Sequence, residues 1–211
     1  MAAGESHRIA YVLPPNTGVT DSISYSRHGD RTSTLLLTIA PLCFLFMLAQ
    51  LCKNDACKSC RRIRHRRLAR IWYDGWHEAH AHILPAELTQ LRTLESFRDR
   101  LRVNLPNVRV ATLLDRPVGF CILKGDELYQ LYVSSQSRSS GVATALIADA
   151  EARFSESGVE TAWLACAIRN ERAARFYEKC GWRRMGTMIN PTETSQGAFS
   201  LEVWRYEKSL I

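Results

Sequence analysis

The stretch from Glu127 to Ala143 (ELYQLYVSSQSRSSGVA) carries the clearest chemical signal in the chain. An apolar alternating run ends at Val133, a loop of small polar residues follows, and a helix opens near Gly141. That order aims successive backbone N–H groups and the positive end of a helix at one point, which is an anion site. Gly141 lets a phosphate approach the backbone, and Ala143 keeps the first turn narrow. Arg138 adds a charge-assisted contact. No Gly-Lys-Ser/Thr follows, so this is not the loop of a nucleoside triphosphatase.

A second constellation runs from Asn170 to Trp182 (NERAARFYEKCGW). Asn170 caps a helix, Gly181 ends it, and Ala173 and Phe176 face inward with Tyr177 beside them. Taken alone it reads equally well as an ordinary amphipathic helix. His77, His80 and His82 do not match the His-Glu-x-x-His spacing of zinc peptidases, and Cys57 and Cys60 lack the second pair of a zinc ribbon, so no metal is expected. Cys52, Cys57 or Cys60 could instead carry lipid if the segment before them meets a membrane.

Together the two stretches resemble the GNAT superfamily of acyl-CoA N-acyltransferases. The acyl-CoA signature Gln/Arg-x-x-Gly-x-Gly/Ala is met by Arg138, Gly141 and Ala143. The later pattern Asn-x-x-Ala-x-x-Phe-Tyr-x-x-x-Gly-Phe is met by Asn170, Ala173, Phe176, Tyr177 and Gly181, with Trp182 in the aromatic place. The resemblance covers about 68–208. It implies that Arg138, Ser139, Ser140, Gly141, Val142 and Ala143 hold the pyrophosphate of acetyl-CoA. It also implies that Leu131, Tyr132 and Val133 meet the pantetheine arm where two strands splay, and that Asn170, Ala173 and Phe176 steady the cofactor. Tyr177 would hydrogen-bond or protonate the leaving thiolate, and a backbone amide such as that of Val133 would face the oxyanion. Glu127 stands six residues before Val133, about 20 Å in a strand, and is the expected base. Trp72, Trp76 and His80, on the first helix, are expected beside the acceptor, with core packing the plain alternative for the two tryptophans.

These residues need a frame. The 211 residues hold 46% hydrophobic and 23% charged positions, a globular balance. The net charge of +7 sits entirely in residues 1–70, with 11 Lys+Arg against 4 Asp+Glu; from 71 onward there are 17 of each. A neutral main domain argues against nucleic acid as partner. Seven cysteines form no regular framework, which fits a reducing compartment.

Residues 1–31 read as a flexible tail. Residues 32–52 carry no charge and, as a helix, are long enough to cross a membrane. Residues 53–67 form a basic linker that places the following domain in the cytosol. From 68 to 211 the pattern is mixed α/β: one helix through Leu68, Ile71, Trp72, Trp76, Ala79 and Ile83, then a second after Pro85 through Leu101. Strands follow at Val108–Leu114, Val118–Leu123 and Leu128–Val133, separated by turns at 115–117 and 124–126. A helix from Gly141, a strand at Thr161–Ala167, a helix at Asn170–Lys179 and two last strands complete the order. The expected fold is a GNAT-type, mostly antiparallel mixed sheet flanked by helices, with the hydrophobic N-terminal helix outside it. The family's usual first strand has little room before the first helix. Either Arg62–Arg64 is its remnant or the upstream segment has replaced it.

The expected activity is transfer of an acetyl group from acetyl-CoA to an unidentified primary amine. The competing expectation is an acyl-CoA sensor or membrane-tethered scaffold without turnover. A second copy of the chain is a further candidate partner, as a homodimer.

Overall fold

The computed structural model describes the backbone of residues 50–51 and 58–211, and side chains from Arg64 onward. The tail at 1–31 and nearly all of the apolar run at 32–52 lie outside the described residues. Gln50 and Leu51, the exceptions, form a short strand, β1 (Gln50–Leu51), rather than the end of a helix. β1 pairs antiparallel with β2 (Val108–Leu113), Gln50 opposite Thr112 and Leu51 opposite Ala111. The upstream segment thus supplies the first strand, while Arg62–Arg64 lie within helix α1 (Lys58–His80). Much of the expected basic linker is therefore helical. No helix among the described residues is long and apolar enough to cross a membrane.

Helix α1 buries Leu68, Ala69, Ile71, Trp72 and Trp76, one face at helical spacing. The single helix expected after Pro85 is two: α2 (Ala86–Leu91) and α3 (Leu94–Asn104). Thr93 breaks it, because its hydroxyl accepts a hydrogen bond from the Ser96 N–H at 3.2 Å and starts a new helix. The sheet continues through β3 (Arg116–Lys124) and β4 (Glu127–Val133), a meander whose turns fall at Leu114-Asp115 and Gly125-Asp126. Helix α4 (Val142–Glu156) crosses over to β5 (Thr161–Ala167). Helix α5 (Glu171–Lys179) leads to the long hairpin β6 (Arg183–Thr194) and β7 (Gly197–Ser209).

The strand order is β1-β2-β3-β4-β5-β7-β6, and only β4 and β5 run parallel. A parallel neighbour needs a crossover, which α4 provides. One core lies on the α4–α5 side of the sheet around Leu146, Phe154, Leu164 and Trp182. The other lies on the α1–α3 side around Trp72, Phe97, Phe120 and Ile122. At Gly75, in the middle of α1, a β-carbon would fall 2.8 Å from the Tyr132 ring of β4. The helix backbone rests there directly on a side chain of the sheet.

Phe120 is fully buried with its ring centroid 5.6 Å from Trp72 and 6.0 Å from Tyr132. Phe120→Ala is expected to lower unfolding stability by about 3–5 kcal/mol, measured by chemical denaturation. A loss below about 1 kcal/mol would mean that this face of the sheet is not tightly packed.

Candidate active site

Strands β4 and β5 touch at one point, Glu127 opposite Trp163, where the Trp163 N–H donates to Asp126 O at 3.0 Å. Beyond it they part. On its other side β4 is paired with β3, and the Ser134 N–H donates to Val118 O at 2.8 Å. That bond flanks the Gly119–Val133 pair, which is therefore the kind that exchanges no hydrogen bonds of its own. The N–H and C=O of Val133, and by alternation those of Leu131, point away from β3 into the gap. The main chain thus leaves polar groups facing an opening, and buried groups of this kind call for a partner.

A register shift in β4 shapes the same strand. Ile122 pairs with Gln130 and Leu123 with Leu128, which leaves Tyr129 as an extra residue. This bulge puts Leu128, Leu131 and Val133 on the α4–α5 side while Tyr129 and Tyr132 face α1 and α3.

A cavity of about 630 Å³ fills the gap. From β4 it is lined by Leu131, Tyr132 and Val133; from the following loop and helix by Arg138, Ser139, Gly141 and Ala143. The α5 region contributes Asn170, Ala173, Phe176 and Tyr177, and α1 contributes Trp76 and His80. Four of the expected residues do not line it. Ser140 turns back to donate its hydroxyl to Ser137 O at 2.6 Å, and Val142 is buried in the core. Trp72 is fully buried among Phe97, Phe120 and Tyr132, so it packs beneath the site instead of touching an acceptor. Glu127 lies at the apex where the strands meet, next to Leu128 and Tyr129, which do line the cavity.

At the mouth, Gly141 caps α4 with φ +82°, a left-handed conformation that a side chain would strain. Ala145 is the first residue to bond back, to Gly141 O at 2.9 Å, so the N–H groups of Val142, Ala143 and Thr144 have no helical acceptor. Arg138 does not stand free beside them. Both of its guanidinium Nη atoms donate to the Glu78 carboxylate at 2.6 Å, and Arg172 donates to the same carboxylate at 2.8 Å. Hydrogen bonds from the two arginines hold the Glu78 carboxyl down at about 2. Arg175 and Lys179 also line the cavity, and among the described residues no aspartate or glutamate does.

Burial shifts three groups in and beside the cavity toward their neutral forms. Burial pushes the Tyr177 phenol far above its ordinary value, so it stays protonated and available as a donor. Glu127, half-buried, is raised to about 7, chiefly by burial, with the charge of Lys124 opposing. Burial takes His80 down to about 4. Its ring is oriented: Nδ1 lies 3.0 Å from Trp76 O and so carries the proton, leaving Nε2 to accept from the Asn170 amide at 3.4 Å. Asn170 meanwhile caps α5, its Oδ1 accepting from the Ala173 N–H at 3.2 Å.

Sequence reasoning missed Glu78, Arg92, Arg100 and the bulge at Tyr129. Arg100 did leave a trace, since it shares the face of α3 that carries Phe97, Leu101 and Asn104. Glu78 and Arg92 had none, because their partners are remote in sequence.

Comparison with known proteins agrees with this geometry. Residues 66–182, more than half of the chain, match the family model described as acetyltransferase (GNAT) family. Uncharacterized N-acetyltransferases of Mycobacterium tuberculosis and Mycobacterium bovis are 33% identical over 112 residues, which is 51% of this chain and 69% of each relative. Among solved structures, a GCN5-related N-acetyltransferase from Rhodopseudomonas palustris superposes with a TM-score of 0.56 at 23% identity, over 70% of this chain and 90% of that one. A ribosomal-protein-alanine N-acetyltransferase from Brucella melitensis gives 0.53 at 18% identity, over 70% and 94%. These two share the fold. The chain belongs to the GNAT acetyltransferase family.

The buried, oriented imidazole has a direct test. In a pH titration followed by NMR, the His80 ring signals are expected to move with a midpoint near 4. A midpoint at the ordinary histidine value would show that His80 is solvated and does not wall the cavity.

Proposed function

We propose that the protein is an N-acetyltransferase that moves the acetyl group of acetyl-CoA to a primary amine by direct attack on the thioester. The observation that carries this reading is the gap between β4 and β5, with inward-facing main-chain groups along one edge and a helix N-terminus at its mouth. Pantetheine is an extended diamide that can bond strand-like to Leu131 and Val133, and a diphosphate suits the free N–H groups from Val142 to Thr144. Arg138, Arg172, Arg175 and Lys179 supply positive charge there. Tyr132, Asn170, Ala173 and Phe176 wall the arm.

The amine nitrogen attacks the thioester carbon, and the oxygen that becomes negative is met by a β4 amide. The carbon–sulfur bond then breaks. Tyr177 faces the sulfur as a hydrogen-bond donor. Its raised pKa favours that role over full proton transfer, because a weak acid holds its proton while still stabilising a thiolate. The nitrogen's proton leaves through an intervening water to Glu127, since that carboxylate lies outside the cavity wall, and the sulfur regains a proton from solvent as product departs. Trp76 and His80 border the acceptor, the His80 ring held in place by Trp76 O at Nδ1 and the Asn170 amide at Nε2.

Calorimetric titration with acetyl-CoA tests the cofactor half of this reading. Gly141→Glu places a carboxylate at the anion site and is expected to abolish that binding, at least a hundred-fold; a variant that bound normally would put the pyrophosphate elsewhere. Thiol release with an amine tests turnover and separates an enzyme from a silent acyl-CoA sensor. The pH profile addresses the base. Glu127 works only when ionised, so kcat is expected to rise with pH through about 7 and level above it. Glu127→Gln is expected to lower kcat by about 10²–10³ and flatten that limb; an unchanged limb would take Glu127 out of the mechanism.

A further inference from the structure

At the acceptor end of the cavity the fold buries an arginine that forms no ion pair among the described residues. Arg92, between α2 and α3, is 1% exposed and lines the cavity. One guanidinium nitrogen donates to the Glu193 backbone carbonyl at 2.8 Å. Its Nε is buried and has no partner. Arg100 lines the same cavity from α3, with Nη2 donating to the Tyr129 hydroxyl at 2.8 Å and its Cζ 4.5 Å from the Trp72 ring. Its Nε is likewise buried and unpartnered. Among the described residues neither forms an ion pair. The nearby Glu193 carboxylate, largely exposed, is engaged instead by Lys124 at 3.7 Å and the Tyr129 hydroxyl at 3.5 Å.

Burying a cation without a counter-charge is costly, and here the cost is visible. Burial, reinforced by the neighbouring charge of Arg100 and opposed only in part by the Glu193 carboxylate, lowers the Arg92 guanidinium to about 10. The placement of Arg92 is nonetheless firm: its N–H donates to Thr89 O at 3.2 Å, and its carbonyl accepts from His77 Nε2 at 2.7 Å. A fork of buried N–H groups held this firmly suits a planar oxyanion brought by a ligand. The diphosphate cannot be that ligand, because its helix mouth is built from a different set of residues around Gly141.

We propose that the acceptor amine carries an anionic oxygen group, a carboxylate or a phosphate, which Arg92 and Arg100 bind at the end of the cavity away from Gly141. This rests on the acetyl-transfer reading and narrows it: polyamines and other polycationic amines are excluded, and amino acids or amine-bearing phosphates are favoured.

The test uses the full chain with acetyl-CoA and a matched panel: L-methionine, L-phenylalanine and L-glutamate, the α-carboxamides of the same three, phosphoethanolamine and spermidine. Thiol release gives kcat/KM, and calorimetry on protein saturated with coenzyme A gives acceptor affinity independently of turnover. The expected result is a preference of at least ten-fold for an anionic acceptor over its neutral counterpart by affinity, with spermidine the poorest. Preference for the amino acids assigns a carboxylate, and preference for phosphoethanolamine a phosphate. Arg100→Gln is expected to remove that preference through KM while leaving acetyl-CoA affinity unchanged. Because Arg92 also tethers β6 through Glu193, Arg92→Gln can lose the fold, and Arg100→Gln therefore carries the test. Equal binding of carboxylate and carboxamide, or an Arg100→Gln variant that weakens both alike, overturns the proposal. Failure to bind acetyl-CoA would instead sink the acetyl-transfer reading, and preferential acceptor binding without thiol release would count against turnover alone.

Discussion

A sheet that stops pairing in its middle is the constraint on which the rest of this molecule depends. β4 and β5 share one contact at Glu127 and Trp163 and then diverge. Two neighbouring strands normally satisfy each other's main-chain groups, and here the inner edge of β4 is left without that partner. The opening persists because each strand is held from its other side, β4 by β3 and β5 by β7, and because separate cores back the two faces of the sheet. The strands cannot slide together without dismantling a core. In the proposed reading, the extended arm of the cofactor is what completes the sheet.

Charge follows the same logic. The chain carries equal numbers of acidic and basic residues after residue 70, yet no acidic residue among those described lines the cavity. The segregation is local: the described cavity lining is cationic while the sequence after residue 70 is neutral in sum. Glu78 is the telling exception. It lies at the rim, binding Arg138 and Arg172 together, and so holds two cations near the mouth in a fixed arrangement. Glu78 and His80 belong to the last turn of one helix, so the rim and this wall of the cavity are covalently one element.

How much was legible beforehand depended on whether the relevant physics was local. The α4 mouth, the Asn170 cap and the strands from Val108 to Val133 rest on neighbours a few residues apart, and their positions follow from spacing and turn chemistry. The break at Thr93 was equally local but was masked, because Leu88, Leu91, Leu94 and Phe97 sustain a helical period across it. For Trp72 the sequence left two places open, beside the acceptor or in the core: Trp72 and Trp76 share a helical face, and periodicity says nothing about which of them is fully enclosed and which reaches the cavity. The first strand was hidden because hydrophobicity alone marks Gln50–Leu51 as part of a long apolar run, and only pairing with β2 shows otherwise. The pairing of Glu78 with two arginines and the burial of Arg92 depend on segments 60–101 residues apart, which no local pattern encodes.

Gly75 shows how tightly this geometry is toleranced. A glycine inside a helix sacrifices about 1 kcal/mol of helical preference relative to alanine, and α1 accepts that loss where it crosses Tyr132. With a single hydrogen as the spacer, the Trp76 side chain beside it and His80 in the next turn hang at a set depth over the gap. The bore of the cavity is thus calibrated by the smallest side chain available, and a methyl group at that crossing would act as a shim, lifting one wall away from the other.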